Sequence, residues 1–290
     1  MKRVLITGAN SYIGTSFEKY INNYNNDYFV NTVDMIGDTW KEMSFAEYDS
    51  IFHVAGIAHV DSGKISPKKE KLYRAVNTDL TIETAKKAKQ DGVKQFIFMS
   101  SAIVYGDSAP LGRNKIITKD TPTSPANCYG DSKLQAENGL KKLEDNSFKV
   151  VILRPPMIYG KGSKGNYPAL AKYAQKLPLF PKVENNRSML YIDHLTEFVR
   201  LMIDNNEAGI FWPQNKEYSN TSEMVHIIAA AHGKKIKLTT IFNWLLPFAR
   251  RISGLVDKAF GNLVYDKHLS EYKADYRHYT FEESIYMTEK

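Results

Sequence analysis

The chain has 290 residues, 43% of them hydrophobic, a composition ordinary for a soluble protein with one large α/β domain and a smaller lobe. Its single cysteine, Cys128, excludes an internal disulfide and favours a reducing, cytoplasmic location. No apolar run reaches the ~18 residues needed to span a bilayer, and the first ten residues predict a strand and a turn rather than a secretory leader. The formal charge of +7 is scattered and forms no basic stripe typical of nucleic-acid binding.

The chain opens with a strand, a glycine-containing turn and a helix. Residues 2–7, KRVLIT, predict a buried strand, and GANSYIG follows directly. Gly8 permits a tight turn, and Gly14 permits the helix of residues 15–22 to pack close to the strand. Backbone N–H groups near Ser11 would face an anion at the start of that helix. Because glycines also mark plain turns, it is their place between strand and helix that favours a dinucleotide pyrophosphate.

An acidic residue ends the second predicted strand, residues 27–34. The Asp34 carboxylate would accept hydrogen bonds from an adenosine ribose diol and repel a 2′-phosphate. No arginine follows it, so we expect NAD rather than NADP, with a plain surface aspartate as the alternative.

Two more segments of this first half are predicted to be strands. Residues 36–40, IGDTW, predict a short third strand that would place Asp38 near the adenine. Residues 50–60 predict a fourth strand, in which the small Ala55 and Gly56 let the backbone approach the cofactor.

The two histidines of this fourth segment are interpreted as packed or surface residues. His53 and His59 have no third ligand at a spacing typical of metal sites, so we expect no metal.

Three polar groups converge in the middle of the chain. The apolar residues 96–99 predict a strand that delivers Ser100 and Ser101 to its carboxyl end, where ligands of open α/β sheets bind. Tyr129 and Lys133 stand four apart at the start of a helical pattern, so their side chains share one face. Such a pair also occurs on many plain helix surfaces. Its combination with a serine at a strand end and an upstream phosphate turn indicates catalysis.

Strands and helices alternate as far as about residue 160. Residues 72–90 have apolar side chains at helical spacing, and residues 149–154 predict a buried strand that prolines stop. This alternation predicts an α/β fold with a doubly wound parallel sheet. We expect a dinucleotide-binding domain over residues 1–160, with a returning segment near 188–210, and mainly a smaller substrate-binding lobe over residues 161–290.

Five motifs in this order resemble those of one superfamily. TGANSYIG, HVAG, MSSAIVYG, YGDSK and RPPMIYG are similar to the motifs of the extended short-chain dehydrogenases/reductases, in the branch of nucleotide-sugar epimerases, dehydratases and reductases. The resemblance covers about residues 1–200. It implies a Rossmann domain, NAD as cofactor and a UDP-sugar as substrate.

The resemblance also implies a role for each matching residue. A guanidinium suits phosphate oxygens, so Arg187 would clamp a diphosphate. The implied roles are pyrophosphate binding by Gly8, Ser11, Tyr12, Ile13 and Gly14, ribose binding by Asp34, catalysis by Ser101, Tyr129 and Lys133, and sugar-nucleotide binding by Asn166 and Arg187.

Three positions depart from the family pattern, of which Gly56 in place of an alanine is a minor change. The family usually has glycine where Ser11 stands, at the closest approach to the pyrophosphate. A serine is compatible if its backbone angles are ordinary, and its hydroxyl can add a phosphate contact. Pro156 stands where many epimerases have asparagine, which leaves the substrate subclass open.

The residue types suit proton transfer at a sugar hydroxyl. A free phenol has a pKa of ~10, and the Lys133 ammonium with an oxidised nicotinamide would lower the pKa of Tyr129 enough for it to act near pH 7. Tyr129 would take the proton of the 4-hydroxyl in oxidation and return it in reduction. Lys133 would also anchor the nicotinamide ribose, and Ser101 would hold the reacting oxygen.

Several functions are compatible with these residues. We expect a UDP-4-keto-sugar reductase of polysaccharide precursor synthesis, because RPPMIYGKGSKGNY and NNRSMLYIDHL resemble the reductases more closely and Ser11 would weaken cofactor retention. A UDP-glucose or UDP-GlcNAc 4-epimerase is the alternative, since MSSAIVYG resembles epimerases as much. A non-catalytic NAD-binding regulator would not need the three catalytic residues, and a nucleic-acid binder lacks a recognisable motif.

Two expectations concern partners. By resemblance, the helices of residues 72–90 and 132–143 would form a homodimer interface. Residues 234–258 carry six basic residues against one acidic and an apolar, aromatic cluster, so they would rest on an anionic membrane or a membrane-bound glycosyltransferase. The preferred alternative is that these apolar side chains close the substrate lobe.

Overall fold

A computed structural model describes residues 1–58, 66–241, 243–252 and 255–290. His59 and Phe242 therefore lie outside the described residues. The strands are β1 (Lys2–Thr7), β2 (Tyr28–Val33), β3 (Ser50–His53), β4 (Gln95–Met99), β5 (Ile116–Ile117), β6 (Lys149–Leu153), β7 (Met157–Tyr159), β8 (Leu179–Pro181), β9 (Met189–Tyr191), β10 (Gly209–Phe211), β11 (Lys237–Thr239) and β12 (Val264–Tyr265). The helices are α1 (Tyr12–Ile21), α2 (Thr39–Glu42), α3 (Pro67–Tyr73), α4 (Leu80–Gln90), α5 (Cys128–Lys141), α6 (Asn166–Lys176), α7 (Ile192–Asp204), α8 (Thr221–Ala231), α9 (Leu246–Ile252), α10 (Leu255–Phe260) and α11 (Phe281–Glu289).

The chain divides into two compact units. The first comprises Met1–Gly106, Pro122–Pro155 and Leu195–Pro213. Within the described residues of this unit, six parallel strands form one sheet in the order β10-β6-β4-β3-β1-β2. The predicted α/β fold with a parallel sheet is therefore confirmed.

Helices cover both faces of this sheet. Successive side chains of a strand point to opposite sides, so a strand of continuous apolar residues needs packing partners on both faces. On one face Leu5 and Phe96 are fully buried in a cluster with Ala85 of α4 and Leu140 of α5. On the other, Phe52 of β3 packs edge-on against Phe17 of α1, with ring centroids 5.1 Å apart. Apolar burial on both faces is the expected source of this unit's stability.

Three sequence predictions in this unit need correction. The predicted third strand, residues 36–40, is wrong: Asp38 precedes the short helix α2, and Trp40 of that helix is buried in the core. The predicted fourth strand ends at His53, well before residue 60. The helix predicted over residues 72–90 is interrupted by a π-helical turn, Arg74–Asp79. A turn of this kind inserts an extra residue into the helix, and it carries no signal in apolar spacing.

The second unit comprises Asp107–Thr121, Pro156–His194 and Gln214–Lys290. Its strands form short parallel pairs, β7 with β9, β8 with β11 and β5 with β12. Buried Tyr159 connects distant segments of this unit. Its hydroxyl forms a hydrogen bond with the Ser284 hydroxyl at 2.6 Å and accepts a hydrogen bond from Asn215 Nδ2 at 2.8 Å.

The unit boundaries differ from those expected. The division after Pro155 precedes the expected boundary at residue 160, and the returning segment starts at Leu195 rather than near residue 188. Residues 107–121, expected in the first domain, belong to the second unit, in which their strand β5 pairs with β12. Among the helices of the described ranges, none combines the length and the hydropathy that a bilayer crossing requires.

Candidate active site

The turn after β1 has the backbone shape of a close-approach loop. Gly8 has φ +120°, and a Cβ built on it would lie 2.7 Å from the backbone nitrogen of Ala55. Asn10 also has a positive φ, 61°, and asparagine tolerates this conformation better than most residues do. Glycine is therefore required at position 8, where the loop after β3 comes close.

Ser11 caps the N-terminus of helix α1 with its side chain. Its φ of −73° is ordinary, and its hydroxyl oxygen accepts a hydrogen bond from the backbone N–H of Gly14 at 3.1 Å. A Cβ on Gly14 would lie 2.6 Å from that oxygen, so serine and glycine fit each other here. The hydroxyl that we expected to touch phosphate is thus used as a helix cap.

The first turn of α1 suits the NAD pyrophosphate. Tyr12 and Ile13 open the helix, and N–H groups in a first helical turn lack intrahelical acceptors. No acidic residue lies in this turn, so the helix dipole is not neutralised there. The residues present therefore fit a dinucleotide.

Asp34 and Asp38 differ in how far their carboxylates are already engaged. Asp34 is exposed directly after β2, and one of its oxygens accepts from the N–H of Ile36 at 3.0 Å. Asp38 forms an ion pair with Lys41 at 3.0 Å, and Lys41 also pairs with Glu83 at 2.7 Å. Asp34 therefore keeps an oxygen for a ribose diol, whereas Asp38 is held by a lysine.

Ser101 and Tyr129 are brought together by a strand end and a helix start. Ser101 lies two residues after the end of β4 and caps the short 3₁₀ turn Ala102–Tyr105. Asn127 caps α5 by accepting from Gly130 N–H at 2.9 Å, which places Tyr129 in the first helical turn. The Ser101 hydroxyl lies close enough to the Tyr129 phenol to lower the pKa of that phenol.

Lys133 lies one turn further along α5 and is buried. Its Nζ donates to the Met99 carbonyl at 2.8 Å and lies 4.7 Å from the centroid of the Phe98 ring. Burial lowers the pKa of Lys133 to about 8, against the opposing effect of the Glu137 carboxylate. The ammonium therefore still predominates at pH 7.

The pKa of Tyr129 moves in the direction opposite to our expectation. Burial raises it to about 12, and the nearby Ser101 hydroxyl offsets only part of this rise. The expectation of a lowered pKa counted the charge of an oxidised nicotinamide together with that of Lys133. With the protein's own groups alone, desolvation dominates and the phenol is neutral at pH 7.

One positioning residue was missed by sequence reasoning. Asn77, fully buried in the π-helical turn, accepts from the N–H of Ile57 at 2.8 Å and donates to its carbonyl at 3.1 Å. It also donates to the Ser132 hydroxyl at 3.0 Å. Asn77 thereby ties the Ala55–Gly56 loop to helix α5. A polar residue within an apolar helical pattern was the available signal.

Gly56 is placed where a side chain would collide with these groups. A Cβ there would lie 3.1 Å from Asn77 Oδ1 and 3.2 Å from Lys133 Nζ. The small residues Ala55 and Gly56 therefore leave room beside Lys133, where we predicted that the backbone approaches the cofactor.

The two predicted substrate residues lie in the second unit. Asn166 is exposed at the first position of α6. Arg187 donates to the carbonyls of Lys258 and Ala259, and burial lowers its pKa. A cavity of about 590 Å³ runs along α6, lined among others by Ser163, Tyr167 and Lys172, but neither predicted residue lines it.

Comparisons with known proteins agree on one family. Residues 4–212 match the model of the NAD dependent epimerase/dehydratase family. A UDP-glucose 4-epimerase of Vibrio cholerae is 31% identical over 291 residues, covering 91% of this chain and 87% of the relative. The N-acetyl-α-D-glucosaminyl-diphospho-ditrans,octacis-undecaprenol 4-epimerase of Escherichia coli O157:H7 is 29% identical, covering 80% and 73%.

A solved structure extends the likeness to the whole chain. The dTDP-4-dehydrorhamnose reductase of Clostridium acetobutylicum matches with a TM-score of 0.73 over 99% of this chain and 98% of that one. At 18% sequence identity this likeness shows the fold alone.

Proposed function

Because this chain belongs to the NAD-dependent epimerase/dehydratase family, nucleotide-sugar enzymes of the extended short-chain dehydrogenase/reductase class, we propose that it is a UDP-sugar 4-epimerase. The observation that carries the choice is the Vibrio cholerae 4-epimerase, 31% identical across nearly the full length of both chains. This choice reverses our expectation from the sequence, which favoured a reductase.

The three catalytic candidates divide the work at the sugar C4 hydroxyl. When bound, NAD supplies the group that accepts hydride from C4 and returns it. Tyr129 takes the hydroxyl proton during oxidation and gives it back during reduction. Ser101, whose hydroxyl lies near the phenol, holds the reacting oxygen beside Tyr129. Lys133 supplies a buried positive charge that stabilises the phenolate.

The sugar nucleotide is assigned to Asn166 and Arg187. A guanidinium in a desolvated site binds a diphosphate through charge-assisted hydrogen bonds, and the partners of Arg187 given above are neutral carbonyls. We infer that Arg187 carries a free positive charge toward the diphosphate. Asn166, exposed at a helix start, would bond the same ligand.

A 4-keto-sugar reductase is the second candidate. The resemblance of RPPMIYGKGSKGNY and NNRSMLYIDHL to reductases favours it. Ser11 no longer favours a reductase through weak cofactor retention, since it has ordinary backbone angles and caps α1.

One incubation series separates the two candidates. Purified enzyme is given UDP-glucose, UDP-GlcNAc or UDP-4-keto-6-deoxy-GlcNAc, each with and without NADH. Interconversion of gluco and galacto sugars without net change in NADH supports the epimerase. Stoichiometric NADH consumption with only the keto sugar overturns it in favour of the reductase. A polyprenyl-diphosphate-linked GlcNAc tests the substrate class of the second relative.

Oligomeric state and location are also proposals. We infer a homodimer built from the segments of residues 72–90 and 132–143, and Leu72 in the first segment is half-exposed, as an interface residue would be in an isolated chain. A sedimentation mass of one chain at micromolar concentration would contradict it. A cytoplasmic location rests on the single cysteine and the nucleotide-sugar substrate.

A further inference from the structure

Four large apolar side chains are exposed within eight residues of the second unit. The solvent-exposed fractions are 72% for Ile241, 66% for Trp244, 40% for Leu245 and 58% for Phe248. We call these four residues the apolar patch. Their exposure contradicts our preferred expectation that they close the substrate lobe. Contiguous exposed apolar side chains of this size mark interaction sites in soluble proteins.

The apolar patch is attached to a folded part of the second unit. The N–H of Ile241 donates to Thr239 Oγ1 at 3.2 Å, at the end of β11. Asn243 Nδ2 donates to the Lys182 carbonyl at 2.6 Å, just after β8. The patch is therefore held beside the β8–β11 pair by hydrogen bonds at two points.

The neighbouring surface is apolar and basic as well. In the β8–β11 register Leu179 stands opposite Lys237, and both side chains are exposed. Lys182 is exposed and lines a groove of about 440 Å³ together with Leu246 and Pro247 of the same segment. Lysine stems cover apolar surface while their ammonium groups stay in water.

Acidic groups around the patch are few and partly neutralised. Residues 234–258 contain six basic residues and one acidic residue, Asp257. That carboxylate is paired with Arg250 at 2.7 Å. Glu184, which follows β8 and lines the groove, is an acidic group that reduces this positive charge. The surface that carries the patch is therefore net positive.

We propose that the apolar patch docks on the surface of an anionic lipid bilayer. Trp244 and Phe248 enter the headgroup region, while Lys182, which follows β8, and Lys237 of β11 face lipid phosphates. Helix α9 has only seven residues, so it lies in the membrane plane. A second copy of the chain is disfavoured as occupant, because like positive surfaces would meet. The proposal does not depend on which sugar the enzyme converts.

The test is co-sedimentation of the full chain with sucrose-loaded vesicles. One set contains phosphatidylcholine alone, and the other contains phosphatidylcholine with anionic phosphatidylglycerol. We expect partitioning to the anionic vesicles that falls as salt is raised, since the lysine contribution is screened. No sedimentation with the anionic vesicles at physiological salt would overturn the proposal.

Paired variants identify the surface. Trp244→Ser with Phe248→Ser removes exposed side chains and should reduce the partition coefficient by about tenfold or more. The matched control is Met287→Ser, an exposed apolar residue of α11, which should bind vesicles as the unchanged protein does. Equal partitioning of the double variant would overturn the proposal. Loss of self-association in that variant, without vesicle binding by the parent, would assign the patch to a second copy.

Tryptophan fluorescence reports insertion directly. Trp40 is buried, whereas Trp244 is exposed, so entry of Trp244 into the headgroup region should shift the emission to shorter wavelength on addition of anionic vesicles. Trp244→Phe should keep binding and lose this shift. A shift that survives the replacement would place the contact elsewhere and overturn the proposal.

Discussion

Arg154 and Glu137 form a two-pronged ion pair between the end of β6 and helix α5. Arg154 Nε donates to Glu137 Oε1 at 3.0 Å and Nη2 to Oε2 at 2.5 Å, with both side chains almost inaccessible to solvent. Ser100 donates to the same carboxylate at 2.5 Å, and Arg154 Nη1 donates to the Tyr105 hydroxyl at 2.6 Å. The ion pair thus joins α5, which carries Tyr129 and Lys133, to the ends of β4 and β6.

Breaking this pair should destabilise the first unit strongly. Arg154→Met leaves the Glu137 carboxylate buried without its cation, so we expect the free energy of unfolding to fall by about 3–5 kcal/mol. Replacing both residues, Arg154→Met with Glu137→Leu, should recover much of this loss, because no uncompensated charge remains. Urea denaturation measures each variant. As a control, Lys41→Met, which breaks only exposed ion pairs, should have a much smaller effect.

Two outcomes would contradict this account of the ion pair. If Arg154→Met were as stable as the unchanged protein, the pair would not hold α5 to the sheet. If the double variant were less stable than either single variant, the loss would come from packing rather than from an isolated charge.

Local patterns were sufficient to predict the sheet and the meeting of Tyr129 and Lys133 at one strand end. Residues 2–7 and 96–99 are continuous apolar runs of strand length, which is typical of strands buried on both faces. The spacing of Tyr129 and Lys133 predicted a shared helix face, and both side chains lie at the carboxyl end of β4. Each of these features depends on a few neighbouring residues.

Features that depend on distant residues could not be predicted in this way. Nothing near Glu137 in the sequence indicates that Arg154 neutralises it, because the partners meet only when β6 lies beside β4. The π-helical turn with Asn77 needs the Ile57 backbone as partner. Residues 36–40 were predicted to be a strand from their sequence. Tertiary packing outweighs that local preference, because the buried Trp40 lies in a helix.

The exposed Asp34 carboxylate should make the enzyme prefer NAD over NADP. It follows β2 with one oxygen engaged by Ile36 N–H, and a 2′-phosphate would be repelled. Asp34→Ala should weaken NAD binding by about 10-fold to 100-fold, the cost of a lost hydrogen bond to a charged group. The difference in affinity between NAD and NADP should become smaller. Asp38→Ala, whose carboxylate is paired with Lys41, is the control with a smaller expected effect. Tighter binding of NADPH than of NADH by the unchanged protein would contradict this prediction.

His53 should make the protein less stable in mild acid. Its ring nitrogens bond Thr7 at 2.7 Å and Thr81 at 3.0 Å, and burial, assisted by the Lys133 charge, lowers its pKa from 6.5 to about 3. Below pH 6.5 the unfolded chain binds a proton that the native protein does not. This residue's contribution to the free energy of unfolding is therefore full above pH 6.5. It falls towards pH 3, by at most about 1.4 kcal/mol per pH unit.

The measurement is urea denaturation at several values between pH 7 and pH 5. His53→Gln should be less stable at pH 7 but should lose less stability on acidification than the unchanged protein. His268→Gln, at an exposed position, should retain the original pH dependence. A pH slope in His53→Gln equal to that of the unchanged protein would refute this role.

Removal of the Tyr129 hydroxyl should abolish most turnover while sparing the cofactor site. Burial raises the pKa of this phenol to about 12, so it acts as the base only when the positive charges of Lys133 and a bound oxidised nicotinamide favour the phenolate. Tyr129→Phe should therefore lower kcat by about 100-fold or more, the scale of a lost acid–base group, with the Kd for NAD little changed. Tyr73→Phe is the matched control, since its ring centroid lies 6.2 Å from that of Tyr129 and its loss should leave kcat near normal. Near-normal turnover of Tyr129→Phe would remove this residue from the mechanism.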